Sequence, residues 1–132
     1  MRLTPDTNIL VRAILGDDDR QSPLAKAELS NADEIALSST VLCELVWVLS
    51  RGYKVRSTEL AWVVRTLING DCVVLNRPAA EAGLAMLDAG GDFADGVIAF
   101  EGAWLGGEVF LTFDQQTAER LRRRGVAVRL PS

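Results

Sequence analysis

Short runs of β-branched and other apolar residues alternate along the chain with longer stretches in which apolar residues recur every three or four positions. The first pattern is typical of strands and the second of amphipathic helices. Five strands are predicted, over Arg2–Pro5, Glu34–Ser38, Asp71–Leu75, Glu108–Thr112 and Val126–Leu130. Seven helices are predicted, over Thr7–Leu15, Ser22–Ser30, Ser39–Ser50, Ser57 or Thr58 to Ile68, Pro78–Leu87, Asp92–Leu105 and Gln115–Arg124.

Strands that are separated by helices imply an α/β fold, in which a parallel sheet is covered by helices on both faces. We find no repeat, linker or low-complexity segment, and 132 residues suit one core, so a single domain over residues 1–132 is predicted. In sheets of this kind, ligands bind beyond the carboxyl ends of the strands. Candidate chemistry is therefore expected where strands end and helices begin.

Composition narrows the chemistry that the chain can perform. Apolar residues make up 48% and charged residues 24%, as in a compact globular protein, and no apolar run is long enough to span a bilayer. The first residues lack the apolar segment of a secretory signal, so we expect a cytoplasmic protein without a membrane partner. Histidine is absent, which excludes catalytic triads and every histidine-ligated metal centre.

The cysteines and tryptophans are expected to have structural roles. Two cysteines, Cys43 and Cys72, are too few for a disulfide framework or a cysteine-ligated zinc site and are expected to be buried thiols. Trp47, Trp62 and Trp104 lie among apolar neighbours at helical positions. We expect them in the core.

Charge is distributed unevenly along the chain. The net charge is −4, but residues 115–132 carry five arginines and one glutamate, a net charge of +4. The cluster Arg122, Arg123 and Arg124 fits either a solvated helix end or a patch that contacts RNA phosphates.

Three aspartates occupy the predicted junctions between strands and helices. Asp6 and Asp114 each follow a strand and precede a helix, and Asp95 lies in the first turn of a late helix. Each also has a structural interpretation, because Asp6, Asp92 and Asp114 can cap the helices that they precede and Asp95 suits the positive end of a helix dipole.

Glu44 is the fourth acid that solubility alone does not explain. It interrupts an apolar stretch, with Val41-Leu42-Cys43 before it and Leu45–Leu49 after it. An unpaired carboxylate is costly to bury, so a compensating partner is expected. That partner is either a core arginine, Arg12 or Arg65, or a cation that is not part of the chain.

A cluster of carboxylates without histidine or cysteine selects hard divalent ions such as Mg²⁺ or Mn²⁺. Pairs of such ions stabilise the attacking and leaving oxygens in phosphodiester hydrolysis. The acids therefore indicate metal-dependent phosphate-ester chemistry. Composition alone does not identify a nuclease.

Four segments, taken in order and spacing, resemble the PIN domain and more narrowly the VapC-type toxins of toxin–antitoxin pairs. They are Asp6-Thr7-Asn8 after the first strand, Glu44 in the third helix, Asp92-Phe93-Ala94-Asp95 at the start of a late helix, and Thr112-Phe113-Asp114 after the next strand. The resemblance covers essentially the whole chain.

This resemblance implies a three-layer α/β/α domain with a central, mainly parallel sheet and a ribonuclease that depends on Mg²⁺ or Mn²⁺. It also implies an RNA substrate, a cognate antitoxin protein that blocks the site, and a homodimer. Carried over by position, the catalytic and metal-binding residues are Asp6, Glu44, Asp95 and Asp114. The supporting residues are Thr7 and Asn8, of which Asn8 orients Asp6, together with Thr112 near Asp114 and the peripheral Asp92.

Two other classes of protein compete with this interpretation. In a receiver-like or dehalogenase-like phosphoacceptor, Asp6 would be phosphorylated. Both families usually use a lysine at the end of a late strand, and no lysine follows Lys54. A catalytically silent PIN-fold binding module predicts the loss of at least one acid, and all four are present.

Overall fold

The computed structural model describes all residues from 1 to 132 and forms two compact units, Met1–Asn76 and Arg77–Ser132. Every predicted helix and strand is present. The first unit contains β1 (Arg2–Leu3), α1 (Thr7–Leu15), α2 (Gln21–Asn31), β2 (Glu34–Leu37), α3 (Ser39–Arg51), α4 (Ser57–Ile68) and β3 (Val73–Leu75). The second unit contains α5 (Arg77–Asp88), α6 (Phe93–Trp104), β4 (Phe110–Leu111), α7 (Gln115–Arg123) and β5 (Val128–Arg129). None of these helices combines the length and hydrophobicity that crossing a bilayer requires.

The sheet of the first unit is parallel, in the order β1-β2-β3. Leu3 is paired with Ile35, and Ile35 with Val73. The strand β1 is shorter than predicted, and Pro5 helps to explain this because proline has no N–H to donate to a ladder. The residue that follows, Asp6, therefore lies beyond the end of the strand, at the start of α1.

The core of the first unit is built from one face each of α1, α3 and α4. On α3, the fully buried residues include Leu42, Leu45 and Leu49, which recur at the three- and four-residue spacing of one helical face. Glu44 and Trp47 lie three positions apart on the other face, and both are exposed. Glu44 therefore reaches solvent, contrary to the expectation of a carboxylate enclosed by apolar neighbours.

The tryptophans are not core residues. Trp47, Trp62 and Trp104 are 63%, 68% and 80% exposed. On α4 the buried positions are Leu60, Ala61, Val64 and Ile68, so Trp62 projects from the opposite side of that helix. The prediction was wrong because apolar neighbours in sequence do not share a face of a helix.

The cysteines also differ from expectation. Both are free thiols, but Cys43 is only partly buried and Cys72 is exposed in the turn before β3. Neither is the fully buried thiol that was predicted.

In the second unit, α5 and α6 pack closely and β4 pairs with β5 in parallel. Phe93 is fully buried beside Gly83, where an added Cβ would lie 2.6 Å from the phenyl ring. Gly96 brings α6 against the backbone of α5 at Ala82. These close contacts fix the first turn of α6, which carries Asp92 and Asp95 at its start.

Candidate functional site

Asp6 connects β1 to α1 in the first unit. Its backbone is extended, and its side-chain Oδ1 accepts a hydrogen bond of 3.0 Å from the Ile9 N–H, which makes it the N-cap of α1. The helix then ends at Gly16, its C-cap, in the left-handed conformation that glycine adopts without strain. Asp6 thus has the structural role foreseen for it, through one of its two carboxylate oxygens.

Glu44 lies beside the start of α1, although it belongs to α3. Its Oε2 accepts a hydrogen bond of 2.8 Å from the Thr7 hydroxyl. Arg12 is not its partner, since Arg12 donates to Gln21 at 2.9 Å and pairs with Asp17 at 3.3 Å. The contact between Thr7 and Glu44 therefore joins the first motif of the chain to the acid in α3.

These side chains line an open cleft of about 270 Å³ within the first unit. Hydroxyl and carboxyl groups reach its wall from the segment after β1, the start of α1 and the first turns of α3. The residues around it are Thr4, Pro5, Asp6, Thr7, Ser38, Thr40, Val41 and Glu44. Thr40 and Glu44 are four positions apart and therefore share a face of α3.

Asn8 makes no hydrogen bond with Asp6. It is exposed on the first turn of α1, and the Ile9 N–H bonds to the carboxylate instead. The orientation of Asp6 is therefore fixed by helix capping within the first unit.

The second unit contains three aspartates at helix starts. Asp92 caps α6 by accepting a hydrogen bond of 3.1 Å from the Ala94 N–H, and Asp114 caps α7 by accepting one of 3.0 Å from the Thr117 N–H. The hydroxyl of Thr112 in turn accepts a hydrogen bond of 3.0 Å from the Asp114 N–H. Thr112 thus supports the backbone of the acid that follows it.

The surroundings of Asp95 raise the pKa of its carboxyl group. Partial burial raises its pKa, and the negative charges of Asp92 and then Asp114 raise it further. A hydrogen bond from the Thr117 hydroxyl to Oδ2, at 3.3 Å, opposes this rise in pKa. The combination shows that three carboxylates lie near enough in this unit to interact electrostatically.

Thr117 is a residue that the motifs did not identify. It is 5% exposed and contacts two of the acids, donating its backbone N–H to Asp114 and its hydroxyl to Asp95. Ser38 and Thr40, which line the cleft of the first unit, were missed as well. Ser38, Thr40 and Thr117 are hydroxyl residues at the start of a helix that follows a strand. This local pattern could have identified all three from the sequence.

The three arginines at the end of α7 are all exposed. Arg122 donates to the Val128 carbonyl at 3.3 Å, and Arg123 pairs with Glu119 at 2.5 Å. Arg124 makes neither a hydrogen bond nor an ion pair through its side chain. All three guanidinium groups remain accessible to a phosphate.

The donor set suits a hard divalent ion. Asp6, Glu44, Asp95 and Asp114 each accept a hydrogen bond at one carboxylate oxygen from their own unit and leave the other oxygen unbonded there. None of them pairs with an arginine or lysine of its unit. Neither unit by itself places three or more acidic, cysteine or histidine side chains in a metal-binding group. Mg²⁺ is nevertheless commonly bound through one or two carboxylates while it keeps several waters.

A known protein family matches most of the chain. The family model of the PIN domain matches residues 3–123, which include all four acids and extend across both units. No curated protein matches the chain. PIN domains are usually nucleases and generally use divalent metal ions. The predicted three-layer α/β/α fold class is confirmed by this match together with the seven helices and the parallel strands. The chain belongs to the PIN domain family.

Proposed function

We propose that this chain is a metal-dependent endoribonuclease whose Mg²⁺ or Mn²⁺ ions are held by Asp6, Glu44, Asp95 and Asp114. We further propose that it is the toxin of a VapC-type toxin–antitoxin pair, that it acts in the cytoplasm, and that residues 1–132 function as one domain. A cognate antitoxin protein and a second copy of the chain are its proposed partners.

One observation carries the nuclease proposal. Each of the four acids is oriented by a hydrogen-bond donor at one oxygen while the other oxygen has no donor in its unit. Helix capping alone explains the hydrogen bonds to Asp6 and Asp114. It does not explain those to Glu44 and Asp95, which each accept from a threonine hydroxyl of another helix. Four oriented acids without a basic partner, at the positions of the family motif, favour cation binding.

The side chains of the protein prepare this chemistry by fixing the acids. Thr7 holds Glu44 beside the cleft, and the helix cap at Ile9 holds Asp6 at the same cleft. A divalent ion bound by such carboxylates polarises a phosphodiester and lowers the pKa of water, which supplies the acid–base chemistry that a chain without histidine lacks. The exposed arginines Arg122, Arg123 and Arg124 are proposed to contact RNA phosphates.

The first test is RNA cleavage with Mg²⁺ or Mn²⁺ and with EDTA. We expect cleavage only with metal, and products with 5′-phosphate and 3′-hydroxyl ends because water displaces the 3′ oxygen. Asp6→Asn and Asp95→Asn should each lower the cleavage rate by at least about 100-fold, since even residues behind metal ligands contribute about 10–100-fold. Asparagine caps a helix as well as aspartate does, so Asp6→Asn should still fold.

The matched control is Asp71→Asn, which removes the same charge from an exposed acid that makes no hydrogen bond or ion pair. It should cleave RNA at the wild-type rate. Metal-independent cleavage or 2′,3′-cyclic phosphate ends would refute the mechanism. If Asp6→Asn and Asp95→Asn cleave like the wild type, these two acids do not carry the reaction. If the wild type itself does not cleave RNA, the binding-module alternative replaces the nuclease proposal.

The toxin proposal needs a separate test in cells. Induced expression should arrest bacterial growth, and the Asp6→Asn variant should not. Arrest that persists in the variant would mean that the toxicity does not depend on this site. Growth without arrest would leave a nuclease that is not a toxin.

A further inference from the structure

Thr117 is a buried polar side chain that the proposed function does not yet use. It lies in the first turn of α7 and is 5% exposed. Burying a hydroxyl is unfavourable unless it finds a hydrogen-bond partner. Thr117 finds that partner in a carboxylate 22 residues away, the Oδ2 of Asp95, at 3.3 Å.

This partner is not the usual one for a threonine within a helix. Helical threonine hydroxyls commonly bond to the carbonyl four residues earlier. Thr66 in α4 does so, donating to the Trp62 carbonyl at 2.8 Å. Thr117 instead donates to a side chain on another helix, and its backbone N–H donates to Asp114 at 3.0 Å. A single residue therefore orients two acids.

The first unit contains the same arrangement. Asp6 caps α1, and Thr7 in the first turn of that helix donates to Glu44 at 2.8 Å. In both units one acid caps a helix, and a threonine in the first turn of that helix donates its hydroxyl to a second acid. The recurrence in two separate units indicates a shared purpose for Thr7 and Thr117.

We infer that Thr117 is a positioning residue that fixes the carboxylates of Asp95 and Asp114 for binding a divalent ion. This inference rests on the proposed function. The hydroxyl bonds to Oδ2 of Asp95 and the backbone N–H bonds to Oδ1 of Asp114, so that the second oxygen of each carboxylate has no donor within the unit. Partners of this kind behind metal ligands typically change metal affinity by about 10–100-fold.

The experiment measures Mn²⁺ binding to the whole chain by the loss of the free-ion electron paramagnetic resonance signal. Thr117→Val keeps the shape and the backbone N–H but removes the hydroxyl, so we expect the Mn²⁺ affinity to fall by about 10-fold or more. Thr117→Ser restores a hydroxyl and should bind within about threefold of the wild type. Thr66→Val removes the ordinary helical hydroxyl and should leave the affinity unchanged.

Each outcome decides the matter. Weaker binding in Thr117→Val that Thr117→Ser rescues supports the inference, since a loss of packing alone would not follow the hydroxyl. Unchanged binding in Thr117→Val overturns it and leaves the proposed function standing. Absence of Mn²⁺ binding in the wild type overturns both. If valine at this position prevents folding, Thr117→Ala compared with Thr66→Ala provides the same test.

Discussion

The close approach of α5 and α6 gives a prediction that can be worked out from distances. At Gly96, an added Cβ would lie 2.2 Å from the Ala82 carbonyl oxygen and 2.9 Å from the Gly83 Cα. An ordinary contact begins at 3.4 Å, so the oxygen contact falls 1.2 Å short. Both neighbours are backbone atoms, which cannot turn aside as a flexible side chain can. Gly96→Ala therefore forces the two helices apart.

The cost follows from that displacement. Overpacking a well-packed interface costs about 1–3 kcal/mol, and an overlap with rigid backbone belongs at the upper end. Alanine recovers about 1 kcal/mol through its better helix propensity. We expect Gly96→Ala to lower the free energy of unfolding by about 2 kcal/mol, which corresponds to a fall in Tm of roughly 5–10 °C.

Gly102 provides the matched control on the same helix. An added Cβ there meets no atom within 4 Å, so only the propensity gain remains. Gly102→Ala should therefore stabilise the protein by about 0.5–1 kcal/mol. The two variants introduce the same methyl group into α6 and should shift stability in opposite directions.

Urea unfolding followed by far-ultraviolet circular dichroism is the appropriate assay. Tryptophan fluorescence is less suitable because all three tryptophans are already more than 60% exposed in the folded state. If Gly96→Ala is as stable as the wild type while Gly102→Ala is stabilised, the helices do not meet at Gly96 and the reasoning fails.

Two further predictions concern charge. Because the pKa of Asp95 is raised by burial and by Asp92 and Asp114, its charged form destabilises the folded state. In EDTA, Asp95→Asn should therefore be more stable than the wild type above the raised pKa, and the difference should vanish as the pH falls below the ordinary value of 3.8. Urea unfolding from pH 3.5 to 8 measures it, and a difference that does not change with pH would contradict it. Replacing Arg122–Arg124 with glutamine should reduce the slope of log affinity for single-stranded RNA against log salt by about 0.7 per lost phosphate contact. An unchanged slope in a salt titration would remove these arginines from the binding surface.

The elements of the fold could be predicted because their signals are local. Asp6 and Gly16 cap the two ends of α1, which the sequence predicts over Thr7–Leu15. The lengths of the strands could not be predicted in the same way. The strand β4 is limited to Phe110–Leu111 because only these residues pair with β5. The extent of that pairing cannot be predicted locally, since β5 is distant in the sequence.

The orientation of side chains was harder to predict than the elements that carry them. Glu44 was expected to be enclosed because eight apolar residues surround it in sequence, yet α3 turns it to the same exposed side as Trp47. The helical period alone assigns both residues to the face opposite Leu42 and Leu45. The expectation failed because Trp47, a large apolar residue on this solvent-facing side, makes the stretch around Glu44 look buried on every side.

Among the residues of the candidate site, the acids could be predicted from local sequence and Thr117 could not. The three aspartates could be named from the sequence because each stands in a motif at a junction between a strand and a helix, and Glu44 because it interrupts an apolar stretch. Thr117 could not, because its importance depends on Asp95, which lies on a different helix. A hydrogen bond between elements is a property of packing, and a single sequence carries no direct record of it.

Capping and metal binding are compatible in this fold because a carboxylate has two oxygens. An acid that follows a parallel strand stands where the next helix begins, and there the unpaired backbone N–H groups attract one of its oxygens. Asp6 and Asp114 both accept such a hydrogen bond at Oδ1, and Oδ2 has no donor within the same unit. The cap therefore would not compete with the proposed cation, and it fixes the orientation of the carboxylate in the absence of metal. For the same reason, substitution by asparagine, which keeps the cap and removes the charge, separates the structural role of each acid from its proposed chemical one.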